Sequence, residues 1–361
     1  MIRLEKRPQP SRFWVVGAPV LAVLLTMIAG GIMFAALGKN PVEAIRIIFW
    51  DPLFSERFAG FSRPQLLVKA GPLILIAIGL SLGFRAGIWN IGAEGQYIVG
   101  ALFGAAFGLA FWPSEHPLIF PGMIAAGLLG GFLWAMIPAL LRVYARTNEI
   151  LVSLLLVYVA EALLASAATG WLRNPEGSGF PGSRNLARNP GTDNPELIAG
   201  TGMHWGVLAA FVAVIAAYVI FSRHILGYQI RLAGEAPRAA RFAGVNAGRL
   251  VILCLGASGA LAGAAGLFEV AGPAGRISID FNVGYGFTAI IVAFLGRLNP
   301  IGILLAGLLM ALTFIGGELA QLMLGIPAAA IQAFQGMLLF FLLALDVLAN
   351  YRFRWKREVA A

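Results

Sequence analysis

Ten long apolar runs alternate with short polar or glycine-rich segments, at about 13 to 37, 66 to 84, 94 to 112, 118 to 141, 149 to 168, 204 to 222, 250 to 270, 284 to 297, 301 to 320 and 327 to 348. Most are close to the ~20 residues with which an α-helix crosses a hydrocarbon core. The pattern therefore predicts an all-α, polytopic membrane protein with about ten transmembrane helices. The run at 284 to 297 is too short for a simple crossing. Between the runs, Val42 to Trp50 has the mixed apolar and polar spacing of an interfacial helix. The stretch Trp171 to Thr201 carries Asn174-Pro175, Gly177, Gly179, Pro181-Gly182 and Asn189-Pro190-Gly191, which is the turn chemistry of a loop. One sizeable polar stretch, Ser222 to Arg249, is dominated by arginine and alanine. No separate soluble domain fits, so residues 1–361 are expected to form a single transmembrane domain.

Composition sharpens this picture. Of 361 residues 59% are hydrophobic and only 12% charged, which excludes an ordinary soluble globule. The 45 glycines suit membrane helices whose backbones approach closely. The net charge of +9 reads as topology rather than as nucleic-acid binding. With the N-terminus inside, the inside segments receive seventeen of the 26 basic residues, among them Arg3, Lys6, Arg7, Arg12, Arg85, Arg223 to Arg249, Arg352, Arg354, Lys356 and Arg357. Both termini and residues 222–249 are thus expected in the cytoplasm, and residues 171–201 outside. The first apolar run is too long for a signal-peptide core and reads as an uncleaved span. Cys254 has no second cysteine to pair with and reads as packing. His116, His204 and His224 lack metal-ligand spacing, so neither a metal, a cofactor nor a catalytic residue is expected.

A weak internal echo pairs Asn90-Ile91-Gly92-Ala93-Glu94-Gly95 with Asn282-Val283-Gly284-Tyr285-Gly286, each leading into a glycine-dotted apolar run. In the topology above the two halves would be inverted repeats, the arrangement in which interrupted helices line a transport pathway. Coincidence in a glycine-rich chain is the alternative. Glu94, between Gly92 and Gly95 at the cytoplasmic mouth of the third span, is compatible with an ion pair to Arg85 that fixes the helix entry or with a role in the pathway. Glu149 is placed to cap the fifth span.

The segment Gly234-Glu235-Ala236-Pro237-Arg238-Ala239-Ala240-Arg241-Phe242-Ala243-Gly244-Val245-Asn246 predicts a short surface helix, begun by Pro237 and stopped near Gly244, with Phe242 exposed. It resembles the coupling segment of ABC-transporter permeases of the simple-sugar and nucleoside uptake family, related to the ribose and branched-chain amino-acid permeases. Three more matches follow the same order: Asn90 to Gln96, Asn148-Glu149-Ile150, and Gly284-Tyr285-Gly286-Phe287 through Gly296-Arg297-Leu298-Asn299-Pro300-Ile301-Gly302. The chain departs from the family pattern at Ala236, where asparagine is common, and at Val157 and Thr288, where asparagine and aspartate often stand.

The resemblance implies a translocation subunit of an ATP-driven importer of a small polar solute, a nucleoside or simple sugar. Its expected partners are a cytoplasmic ABC ATPase, a second permease subunit (a paralogue or a second copy), an extracytoplasmic substrate-binding lipoprotein and the lipid bilayer, with no nucleic acid. A separate ATPase agrees with the lack of a Gly-x-x-x-x-Gly-Lys-Ser/Thr phosphate loop: Gly38-Lys39 is followed by Asn40, and Met stands at position 33. Gly234, Glu235, Pro237, Arg238, Arg241 and Gly244 are the expected docking residues. Trp89, Asn90, Glu94, Tyr97, Tyr158, Glu161, Tyr285, Phe287 and Thr288 are the candidate pathway residues, since a neutral ring-shaped solute calls for aromatic faces and a few hydrogen-bonding groups. An ion-coupled secondary transporter is the competing class; it calls for a relay of intramembrane acids, and Glu161 is the one acid placed well inside a span.

Overall fold

The computed structural model describes residues 2–6, 12–177 and 179–355, with side chains placed for residues 17–177 and 179–345. Arg7, Lys356 and Arg357, which enter the charge count, and the side chains of Arg3, Lys6, Arg12, Arg352, Arg354 and Asp346 lie outside that description. In chain order the elements are β1 (Ile2–Lys6), α1 (Arg12–Ala36), α2 (Pro41–Phe49), α3 (Asp51–Phe54), α4 (Ala59–Arg85), α5 (Ala93–Ala110), α6 (Ile119–Ala145), α7 (Glu149–Thr169), α8 (Trp205–Arg223), α9 (Ile225–Glu235), α10 (Pro237–Phe242), α11 (Ala247–Ala271), α12 (Tyr285–Leu295), α13 (Pro300–Leu324), α14 (Ala328–Asn350) and β2 (Tyr351–Trp355). Each of the ten predicted apolar runs falls on one helix. Among the described residues eight helices are long and apolar enough to cross a membrane: α1, α4, α6, α7, α8, α11, α13 and α14. The other two, α5 and α12, are the polar-headed and the short run. The protein is a helical, polytopic membrane protein.

The chain divides into two compact units, Met1–Ser62 with Leu312–Ala361, and Arg63–Ala311. In the first, β1 pairs antiparallel with β2, Ile2 opposite Trp355 and Lys6 opposite Tyr351, so the two ends of the described chain lie side by side. Phe34 of α1 stacks on Phe334 of α14 at 5.8 Å. The expected interfacial helix is α2: Asn40 accepts from the N–H groups of Val42 and Glu43 at 3.0 and 3.3 Å, and Pro41 opens the first turn. One face of α2, Ala44, Ile47 and Ile48, is buried with Phe34, Ala320, Ile326, Ile331 and Phe334, while Val42 and Trp50 are exposed.

The core of the second unit is the trio α5, α6 and α11. Its helices touch through backbone rather than side chains. A Cβ at Gly263 would collide with the Gly127 carbonyl and the Gly131 backbone, and one at Gly100 with Gly263 itself. Only glycine permits that approach, and in lipid close packing, not solvent exclusion, holds helices together. Residues 183–194 fold onto the end of α11 and the segment after it: Ser183 and Leu186 donate to the carbonyls of Ile277 and Gly275 at 2.8 and 2.7 Å, and Asn194 donates to the Ala271 carbonyl at 3.0 Å.

Candidate functional site

Two helices of this second unit start inside it. After α4 the chain turns back at Gly87, which adopts φ +71°, and Ile88 donates to the Gly83 carbonyl at 2.9 Å, so residues 88–92 run alongside the end of α4. Asn90 is buried there and its side chain is fully used. Its amide nitrogen donates to Gln96 Oε1 and Ser258 Oγ at 2.8 and 2.9 Å, and its oxygen accepts from Gln96 Nε2 and the Gly92 N–H at 3.0 and 3.1 Å. Ser258 lies midway along α11, so α5 begins at mid-height of the trio and not at its end. Burying so many polar atoms is tolerable because they satisfy one another.

The second interrupted helix is α12, with eleven residues and thus about 16 Å of length, roughly half the ~30 Å of a hydrocarbon core. Gly284, at φ +82°, precedes it and offers no side-chain cap. The Glu94 carboxylate supplies one from α5: its Oε2 accepts from the backbone N–H groups of Gly286 and Phe287, the latter at 3.1 Å. A negative group there satisfies orphan donors and opposes the positive end of the helix dipole. A Cβ at Gly286 would strike the Glu94 backbone, so glycine is what lets the two helices meet.

At the other end of α12, Leu298 donates to the Ala293 carbonyl at 2.8 Å and Arg297 to Phe294 at 2.8 Å. Both Arg297 and Leu298 have left-handed backbones, φ +52° and +57°, a conformation that costs a non-glycine residue about 1 kcal/mol or more. The turn aims the Leu298 carbonyl at Arg85, whose Nε donates to it at 2.9 Å. The same guanidinium lies 3.9 Å from the Phe221 ring centroid of α8. Phe294, Phe84 and Trp89 form an aromatic cluster beside it, with centroids 5.0 to 5.9 Å apart.

These contacts correct three expectations. Glu94 and Arg85 do not form an ion pair with each other; a buried carboxylate gains more from two backbone donors at a helix N-terminus, and Arg85 is drawn to a carbonyl and an aromatic face. Glu94 is also not at a mouth but fully buried. Glu149 does not cap α7: Asn148 does, accepting from Ile150 and Leu151, because its short side chain reaches back to those amides. Glu149 instead pairs with Arg142 and accepts the Trp89 N–H at 3.4 Å.

Of the candidate pathway residues, Asn90, Glu94, Tyr97 and Tyr285 are buried and engaged within the unit; Tyr97 stacks on Phe281 at 5.2 Å and meets Tyr285 edge-on at 5.9 Å. Lys69 lies 6.0 Å from the Tyr285 ring centroid. Trp89 belongs to the aromatic cluster at the Arg85 end. Phe287 and Tyr158 are exposed, Thr288 is buried, and Glu161 is half-buried and accepts from Asn282 Nδ2 at 3.0 Å. Phe287, Thr288 and Glu161 thus surround the start of α12.

The expected docking residues form one exposed strip. α10 starts at Pro237 and ends where Gly244 takes φ +77°; Glu235, Arg238, Arg241 and Phe242 are exposed, Phe242 to 94%. Ala236 occupies the N-cap without a side-chain bond, the position at which an asparagine would have capped the helix. The preceding helix α9 was not legible as such, although Ile230 and Gly227 mark its buried face. Gly234, near its end, packs so closely on the Arg85 carbonyl that a Cβ would collide with it. A cavity of about 240 Å³ lies between Pro237, Ala240, Arg241 and Val245 on one side and Ala86, Gly87, Ile88 and Arg142 on the other.

Residues 63–343 match the family described as "branched-chain amino acid transport system / permease component". The chain belongs to that permease family. Over 97% of its length it is 35% identical to the glucose ABC transporter permease of Haloferax volcanii, of which it covers 93%. It is 27% identical to a nucleoside ABC transporter permease of Lactococcus lactis, over 90% of this chain and 89% of that one. It is 25% identical to a guanosine ABC transporter permease of Bacillus subtilis, over 90% of this chain and 91% of that one. No solved structure matches. The permease is a multi-pass plasma-membrane protein, a translocation subunit of an ABC importer for small polar solutes.

Sequence reasoning did not single out two further features of the permease. Arg85 entered only as a charge and a presumed partner of Glu94. At the opposite end of the trio, His204 caps α8 by accepting the Gly206 N–H at 3.0 Å and lies 2.9 Å from Asn194 Nδ2, which also donates to the Phe268 carbonyl at 3.1 Å. Burial pushes the His204 pKa down to about 4, partly opposed by Glu196, so the neutral ring is the form that fits.

Proposed function

We propose that the permease moves a neutral, hydroxyl-bearing ring solute, a simple sugar or a nucleoside, with energy from a separate cytoplasmic ABC ATPase that docks on α9 and α10. Residues 1–361 act as one permease domain with ten membrane segments, α5 and α12 included, and both termini in the cytoplasm. Residues 222–249 face the ATPase. Residues 171–201 face an extracytoplasmic binding lipoprotein, and a second permease subunit completes the pathway. The echo between Asn90 to Gly95 and Asn282 to Gly286 is then the trace of inverted repeats.

The observation that carries this reading is the half-length helix α12, which begins at mid-height with its N-terminal amides on a buried carboxylate. Interrupted helices meeting near the membrane midplane are where transport folds place their solute. Phe287, Thr288, Glu161 and Tyr158 are the solute-facing residues: an exposed aromatic ring offers a stacking face, and Glu161 with Asn282 offers hydrogen bonds to hydroxyls. Asn90, Glu94, Tyr97, Tyr285 and Trp89 position them. The solute class draws on the names of the relatives, glucose for one and nucleosides for two.

Reconstitution tests it. Proteoliposomes holding the permease, its ATPase, the second permease and the binding protein should accumulate labelled glucose or guanosine with ATP inside the cytoplasmic compartment, and continue to do so when proton and sodium gradients are collapsed. Uptake by the permease alone, driven by an ion gradient, would move it to the secondary transporters. Cysteines at exposed positions of 222–249 should react only from the cytoplasmic face.

A further inference from the structure

The two ends of α12 are held by charged side chains that come from either side of one short loop. Arg85, the last residue of α4, binds the Leu298 carbonyl just beyond the C-terminus of α12; Glu94, in the first turn of α5, binds the Gly286 and Phe287 amides at its N-terminus. The signs match the helix dipole at both ends: cation at the carbonyl end, anion at the amide end. The turn that presents the Leu298 carbonyl is held in a left-handed conformation at two consecutive non-glycine residues. The Arg85 backbone carbonyl, in turn, is in contact with Gly234 of α9, and the guanidinium lies on Phe221 at the end of α8, which leads into α9. A continuous set of contacts therefore runs from the exposed segment of α9 and α10, through Arg85, to the C-terminal end of α12, and the far end of α12 carries Phe287 and Thr288.

We propose that Arg85 and Glu94 are paired positioning residues that hold α12 by opposite ends, with Glu94 as the fixed end and Arg85 as the joint through which the cytoplasmic segment shifts it. This rests on the importer reading and adds to it the route by which ATPase closure reaches the solute-facing residues. Neither side chain contacts solute. Their work is to transmit a displacement along a short, stiff helix, which is why α12 has no cap of its own at Gly284.

The test uses the assembled importer in lipid nanodiscs with a Val283→Cys reporter, since Val283 is half exposed beside the start of α12. Its reaction rate with a water-soluble maleimide is compared without nucleotide and with ATP and vanadate. In the parent complex the two rates should differ by about fivefold or more, the lower range of a real coupling. Arg85→Gln should bring the ratio close to one while the ATPase still co-purifies and hydrolyses ATP, and Arg85→Lys should restore part of the difference. Phe221→Leu, which removes the ring on which the Arg85 guanidinium lies and is outside the docking residues, carries the same expectation as Arg85→Gln and serves if that variant does not assemble. Glu94→Gln keeps an acceptor for the two amides and should retain uptake that Glu94→Ala loses. A full nucleotide response in Arg85→Gln or Phe221→Leu, or a Glu94→Gln as inactive as Glu94→Ala, overturns the proposal; the latter would place the charge itself in function. A parent complex without ATP-driven uptake would overturn the importer reading instead.

Discussion

Asn90 and Asn282 fold the same way: the Oδ1 of Asn90 accepts the Gly92 N–H at 3.1 Å, and the Oδ1 of Asn282 accepts the Gly284 N–H at 3.3 Å. Each asparagine closes a turn immediately before an interrupted helix, an arrangement in which its side chain mimics a backbone turn. The two turns also converge, since Glu94 behind the first binds Gly286 and Phe287 behind the second. A faint similarity in sequence thus corresponds to a similar local turn and to direct contact between the two segments.

Tyr285 and Phe287 should separate cleanly when replaced by alanine. Tyr285 is fully buried against Tyr97, so its removal leaves a cavity worth about 3–5 kcal/mol and should lower the melting temperature of the purified permease. Phe287 is exposed, and its loss should leave stability and ATPase co-purification near the parent values while uptake falls. Equal thermal shifts in the two variants would contradict the assignment.

Gly263→Val should be among the most damaging substitutions in the permease. Its side chain has no space between the Gly127 carbonyl and the Gly131 backbone, and the forced separation of α6 and α11 should cost about 1–3 kcal/mol or more. Gly336→Ala, at a helical position with nothing within 4 Å, should be neutral or slightly stabilising. Size-exclusion profiles and melting temperatures in detergent decide it.

For the exposed strip of α9 and α10, on the proposed docking role, Arg238→Glu with Arg241→Glu should abolish both ATPase co-purification and uptake, because a surface charge match that guides docking becomes a repulsion. Gly244 has open space around it but a φ of +77°, so Gly244→Ala should cost about 1–2 kcal/mol through backbone strain alone and Gly244→Asn less. Co-purification yield across these variants is the readout.

Acidification should loosen the segment anchored by His204. An unfolded histidine takes its proton near pH 6.5, whereas His204 in place resists protonation down to about 4, so the anchor is at full strength above about 6.5 and weakens as the pH falls toward 4, by about 2 kcal/mol at pH 5. Burial raises the pKa of neighbouring Asp193, an opposite effect: its charged form is the costly one, and that cost is relieved as the pH falls through the raised pKa. Hydrogen exchange of residues 193–206, corrected for intrinsic rates, should therefore rise between pH 7 and pH 5. His204→Asn keeps a capping oxygen for Gly206 and should flatten the dependence.

Legibility differed by feature for physical reasons. The ten helices could be read because apolar length is a local property, and α10 because Pro237 and Gly244 act on their own backbone. The nine pathway candidates included true neighbours, Glu94 with Phe287 and Tyr97 with Tyr285, but aromatic or acidic character does not say which of them is enclosed. Trp89 and Tyr158 are both exposed aromatics near glycine-rich turns or apolar runs, yet the first belongs to the Phe84 and Phe294 cluster at the Arg85 end.

The sequence by itself determined that this is a helical membrane protein of the importer permease type: hydrophobic length, the scarcity of charge and the ordered motifs are properties of the chain that any packing must respect. Only the tertiary structure decided that Glu94 serves α12 and not Arg85, and that Arg85 serves the Leu298 carbonyl. The reason is that a buried charge takes whichever unsatisfied partner the packing brings within hydrogen-bond reach, and the partners here, two amides and a carbonyl at the ends of a broken helix, exist only once that helix has been placed between its neighbours.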